Sequence, residues 1–209
     1  MDYTRKLIEA SGLDLPTLEN IEKDRRMFSV VSMCGRSDFY LFIKAFLHVH
    51  AKYPYQYRPT EADNSGYCLL YTADGEGLLS LDDNTQYHLL PHTLCFWPYR
   101  DTSGIRIIAS HWEHYMLFID GPEARWFFDK YMESGSLKSS VPSRSKLYDM
   151  LLSYERAKDF YLGAPMHQLC YITSLLSEVL MLDTLSAPED SIPKYLSDIR
   201  RLFDDEYNQ

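Results

Sequence analysis

Between Met27 and Gly121 the apolar residues of this chain come in short bursts that alternate with polar ones. A period of two marks strands with one face buried. "MFSVVSMC" and "FYLFIKAFLHVHAKYPYQYRP" are aromatic and β-branched, broken at Gly35-Arg36-Ser37 and at Pro54. Tyr67, Leu69 and Tyr71 alternate with smaller neighbours up to Asp74-Gly75, so "YTADGEGLLSLD", residues 71–82, is expected to be a hairpin with its tight turn at the glycines. A second turn is expected at Asp82-Asp83-Asn84, and "TLCFWPY", "IRIIAS" and "WEHYMLFI" follow as further strands. Turns recurring at this rate predict a compact antiparallel barrel or sandwich. Roughly seven or eight strands are about the number a small closed barrel needs, and such a barrel can hold one small ligand.

On either side of that stretch the period lengthens to that of a helix. Residues 1–26 place Leu7, Ile8, Leu15, Leu18 and Ile21 near helical spacing, an arm that could pack, cover the barrel or touch a second copy. After Gly121, Pro122 and Glu123 open a helix whose apolar side is Trp126, Phe127 and Tyr131. "SRSKLYDMLLSYERAKDF" predicts a second helix, and "APMHQLCYITSLLSEVLMLDTL" a third that is apolar over more than one face. Such a helix must be covered on two sides. One side can pack on the barrel; the other meets neighbouring helices or, as expected here, a copy of itself through Leu169, Ile172, Leu176 and Val179. "SAPEDS" reads as a linker, and Ile192, Tyr195, Leu196, Ile199, Leu202 and Phe203 form a new amphipathic stripe expected to belong to a further domain.

Composition narrows the function classes. A formal net charge of −9 argues against this stretch gripping a phosphate backbone, since that affinity comes from Lys and Arg displacing counterions. The cysteines Cys34, Cys68, Cys95 and Cys170 form no CxxC pair and are expected to be buried, reduced thiols. With neither a leader pattern nor an apolar run near the ~20 residues of a membrane span, the expected location is the cytoplasm. His48 and His50 in "HVH" share one strand face, a start for a metal site. However, such a site needs a glutamate on the following strand and a third histidine later in the barrel, and no acid follows His50 until Glu61, so a structural role is expected and no metal. No GxSxG, HExxH or phosphate-cradling loop occurs, so no catalytic residue and no cofactor are expected. Binding is the remaining chemistry: aromatic faces and a few fixed polar groups suit a polyol, and the candidates are Arg58, Trp97, Tyr99, His111, Trp112, His114 and Met116. Alternation puts Trp112, His114 and Met116 on one face of the last strand, with the inward face left open.

Arg58-Pro59, Gly66-Tyr67 running to Gly75-Glu76-Gly77, Phe96-Trp97-Pro98-Tyr99 and Trp112-Glu113-His114-Tyr115-Met116 ahead of Gly121-Pro122 resemble the sensor domain of the arabinose-regulator (AraC-type) transcription factors. The likeness covers about residues 27–207, with Pro91-His92-Thr93 standing where the family has a turn glycine. It implies an α+β fold: a cupin-like antiparallel β-barrel, or jelly roll, with an N-terminal helical segment and a C-terminal helical dimerisation unit. The divisions expected are 1–26 as the arm, 27–122 as the ligand-binding barrel, 123–187 as the dimerisation unit, and 188–209 as linker and first helix of a DNA-binding helix-turn-helix domain. The implied partners are a sugar-like effector, a second copy of the chain, and DNA through that last domain alone, with no membrane. The family's sugar-contacting arginine and histidine fall on Arg58 and His114, and its sugar-stacking tryptophan falls on Met116. A metal-dependent cupin enzyme, an isomerase or dioxygenase, is the alternative of another class, and a plain dimerisation module with a dry barrel is a third.

Overall fold

The computed structural model describes residues 40–57, 66–163 and 165–182. The arm of 1–26, the strand expected at 27–34, Arg58, Cys34 and the segment 188–209 lie outside these residues. Within them, seven strands form one antiparallel sheet: β1 (Phe42–Lys52), β2 (Gln56–Tyr57), β3 (Tyr67–Leu81), β4 (Gln86–Leu89), β5 (Thr93–Pro98), β6 (Thr102–Asp120) and β7 (Lys138–Ser140). Helices α1 (Pro122–Tyr131), α2 (Leu147–Gly163) and α3 (Pro165–Leu180) follow β6, as the change of period predicts.

The sheet is organised around a ribbon of β3 and β6, paired from Tyr67↔Ile119 to Leu81↔Thr102. Strand order is β1-β6-β3-β5-β7, with β2 also on β6 and β4 also on β3. Residues 71–82 are therefore not a hairpin. β3 runs unbroken through Gly75-Glu76-Gly77, and "IRIIAS" and "WEHYMLFI" are likewise one strand. The physical reason is a pair of register shifts, between Thr72 and Asp74 and between Gly75 and Gly77, which bend a strand without reversing it. Gly75 takes φ +72°, and a side chain there would overlap the carbonyl of His111. The turn that does close a hairpin is the expected one at Asp82-Asp83-Asn84, where the Asn84 amide donates to Leu81 O at 3.0 Å.

Bent at this point, the ribbon brings its two halves around one interior. Leu79, Leu81, Ile105 and Ile107 of the far half share a core with Leu47, Leu70, Trp97 and Met116 of the near half. A second core lies outside the near half, where Phe46, Leu69, Tyr115 and Leu117 meet Phe127 of α1, Leu151 and Tyr154 of α2, and Leu175 and Leu176 of α3. The near half of β6 is thus buried on both faces, while Ser103, Arg106 and Ile108 of the far half alternate outward to water. The result is an α+β, cupin-like barrel with its helices on one outer face.

The helical unit corrects two expectations. Ile172, Leu176 and Val179 are buried in the core between helices and barrel, and Leu169 packs against it partly buried, so the side chains expected to meet a twin are already covered by their own chain. The uncovered face of α3 carries Met166, Cys170, Thr173, Ser177 and Met181. Cys170 is therefore an exposed free thiol, whereas Cys68 and Cys95 are buried and free as expected. No helix among the described residues is long and apolar enough to cross a membrane.

Candidate ligand-binding site

The inward face of β6 is the one carrying Trp112, His114 and Met116; Glu113, Tyr115 and Leu117 face outward. Trp97 and Tyr99 come to the same interior from β5 and the short turn after it. Five of the six expected ligand-binding residues therefore converge, and Arg58 is the one outside the described residues. His111 does not join them. It is exposed at the bend, where its Nε2 lies 3.0 Å from Asp74 Oδ2. That hydrogen bond, with a second from the Gly75 amide, holds the Asp74 carboxyl below its ordinary range.

Two fixed walls define the interior. The Trp97 indole N–H donates to Thr102 Oγ1 at 2.7 Å, and Thr102 passes its own hydrogen to Tyr99 O at 2.8 Å. The Trp112 indole N–H donates to Thr72 Oγ1 at 3.2 Å. Because each indole's one polar atom is satisfied, both rings are held in place by directed bonds as well as packing. Gly77 is required by the second wall: a methyl group there would overlap the indole of Trp112. The Gly-Glu-Gly stretch thus bends the ribbon and seats an aromatic wall.

Between these walls His114 stands apart. Its ring stacks on Trp112 with centroids 3.8 Å apart, and Tyr55 lies at 6.2 Å on another side. It is fully buried, and neither ring nitrogen has a hydrogen-bond partner. Burial, with smaller contributions from the charges of His48 and His50, pushes its pKa down to about 3, so the imidazole is neutral at ordinary pH. Leaving a buried polar group unmet costs about 1–3 kcal/mol, and native proteins do so rarely. Tyr55 is the wall residue missed from the sequence. It sits in the dense aromatic run "YPYQYRP", and its burial pushes the phenol pKa up. Periodicity could not single it out, because its segment is too short to show alternation.

These side chains give the small barrel an aromatic interior with one unmet polar side chain. The model of the AraC-like ligand binding domain matches residues 44–158. This chain belongs to that family. No curated protein matches it. Among solved structures, it is similar to the AraC-like transcriptional activator CuxR at 15% identity and a TM-score of 0.43, covering 71% of this chain and 55% of that one. It is also similar to an RmlC-like cupin protein from Desulfovibrio desulfuricans, at 13% identity and a TM-score of 0.33 over 48% and 91% of the two chains. ToxT from Vibrio cholerae gives 8% identity and 0.33 over 43% and 35%. The chain spans about half the length of CuxR.

Proposed function

We propose that this chain is the effector-sensing and dimerising part of an AraC-type transcription regulator, and that it binds a sugar or related polyol inside the barrel. The observation that carries the reading is His114. A neutral imidazole offers one donor and one acceptor, and a sugar hydroxyl is both, so neighbouring hydroxyls can meet the two nitrogens that the protein leaves unmet. Trp97, Tyr99, Trp112 and Tyr55 supply the aromatic faces that such a ligand packs against. Arg58 and Met116 complete the proposed contacts, the arginine from outside the described residues and the thioether from the wall. In this reading the domain is not an enzyme.

Pairing with a second copy is assigned to the outer face of α3, where Met166, Cys170, Thr173, Ser177 and Met181 recur at helical spacing and are exposed. DNA contact is assigned to sequence beyond the helical unit. Ligand can change the arrangement of the dimer only as far as its affinity for the two arrangements differs.

A thermal-shift and calorimetry screen against mono- and oligosaccharides and sugar alcohols tests the reading. A true effector at a hundred times its dissociation constant adds about 2.7 kcal/mol of stability. His114→Leu is expected to abolish that gain while the unliganded protein stays folded. Equal binding by the variant would remove His114 from the site, and silence across the whole panel would favour the dry dimerisation module.

A further inference from the structure

The outer side of the same wall carries a cluster that effector binding does not use. His48 and His50 project from β1 toward the helices, and Glu113 of β6 lies opposite His50 in register. His48 Nε2 is 2.9 Å from Glu113 Oε1, and its Nδ1 is 3.0 Å from Glu155 Oε2 on α2. His50 Nδ1 is 3.7 Å from the other Glu113 oxygen. One ligand atom from each of His48, His50 and Glu113 lies within 4.8 Å of the others. Tyr115 stacks on the His48 ring at 4.1 Å and fixes its plane. The acid that the sequence lacks after His50 is supplied from across the sheet, 65 residues from His48.

Charge and geometry point to a cation here. A protonated His48 sets one positive charge against the Glu113 and Glu155 carboxylates, leaving this trio one negative charge in excess. A divalent cation beside a neutral His48 balances both. The Nε2 lone pair then becomes a ligand while Nδ1–H still donates to Glu155, the arrangement by which a carboxylate orients a metal-bound histidine. For metal–ligand bonds of about 2.0–2.1 Å at tetrahedral angles, ligand atoms sit about 3.3 Å apart. His48 and His50 approach the two oxygens of Glu113 at 2.9 and 3.7 Å, and with one ligand atom from each of the three residues within 4.8 Å of the others the set is close enough to close on an ion by small side-chain adjustments. Two imidazoles and one carboxylate suit Zn2+, Co2+ or Ni2+ better than Mg2+ or Ca2+. We propose that His48, His50 and Glu113 bind one such cation on the outer wall of the barrel, with Glu155 as a positioning residue that ties α2 to the site. Half-exposed His50 and partly exposed Glu113 open the fourth position to water.

This site is independent of the effector reading, because the wall separates it from His114. Its test uses the chain stripped with EDTA, dialysed against Zn2+ and analysed for metal, with Co2+ absorption as a second probe. One bound Zn2+ per chain and a visible tetrahedral Co2+ band are expected. Both should disappear in His50→Ala and Glu113→Gln, whose folding is checked by circular dichroism. Glu155→Gln should keep the stoichiometry and weaken affinity by about ten- to a hundredfold. Failure of the folded wild type to bind any of Zn2+, Co2+ and Ni2+, or binding unchanged in His50→Ala, would overturn the site. Unchanged affinity in Glu155→Gln would overturn the positioning role of α2.

Discussion

His48 and His114 lie on opposite faces of the wall made by β1 and β6, and both are buried. Their chemistry is opposed. Burial alone would lower the pKa of His48, but hydrogen bonds and charges from Glu113 and Glu155 outweigh it and raise the value to about 9. His114 has no such partners, and burial takes it down to about 3. Without a bound metal, the same side chain at similar depth therefore favours the charged form on the helix side and is a neutral, unmet ring inside the barrel. What decides the difference is whether a carboxylate can reach. Outside, α2 and the water-facing edge of β6 bring two; inside, the neighbours are aromatic and aliphatic.

The sharpest way to break the contrast is to remove the paired histidine. His48→Leu leaves Glu113 and Glu155 facing each other partly buried, and is expected to cost about 2 kcal/mol, between an exposed and a buried ion pair, read from urea unfolding. A pH series on metal-free protein separates the two rings next. The pKa of His48 lies above its ordinary 6.5, so its contribution is complete below pH 6.5 and is lost as pH rises through about 9. The pKa of His114 lies below 6.5, so its contribution is present above pH 6.5 and is lost as pH falls toward 3. Together they place a stability maximum near pH 6.5. His48→Leu should flatten the alkaline limb and His114→Leu the acid limb; the reverse assignment would contradict the burial pattern. Smallest in size is His114→Leu at neutral pH, expected to lie within about 1 kcal/mol of wild type or slightly above it, since it removes a polar group that nothing satisfies. A loss of several kcal/mol would mean that the ring is satisfied within the chain.

Gly77 gives a further test. Gly77→Ala pushes against the Trp112 indole and is expected to cost about 1–3 kcal/mol as overpacking, with a change in tryptophan fluorescence marking the displaced ring.

Much of this was legible in the chain. Pro122 and the change of period marked α1 to α3, and alternation put Trp112, His114 and Met116 together on β6. Which face pointed inward was not legible, because the helices bury the other face with Tyr115, Leu117 and Ile119, and two apolar faces carry no polarity signal. The same coverage misled the reading of α3, whose broad apolar surface meets its own barrel and helices. Asp74-Gly75 carried the marks of a reversal, yet Gly75 serves a left-handed bulge and Gly77 a close approach, demands that residue type cannot separate from a turn. The partners of His48 come from β6 and α2, 65 and 107 residues away, and a search for an acid soon after His50 in sequence could not find them.

Glu113 and His114 are consecutive residues of one uninterrupted strand, their side chains thrown to opposite sides. A ligand contact at His114 and an ion contact at Glu113 would therefore bear on adjoining units of one backbone. If filling the chamber changes how tightly the exterior cluster holds its ion, then the ion must change how tightly the chamber holds its guest, by an identical free energy. Two signals, one organic and one inorganic, would then be weighed against each other across the thickness of a backbone.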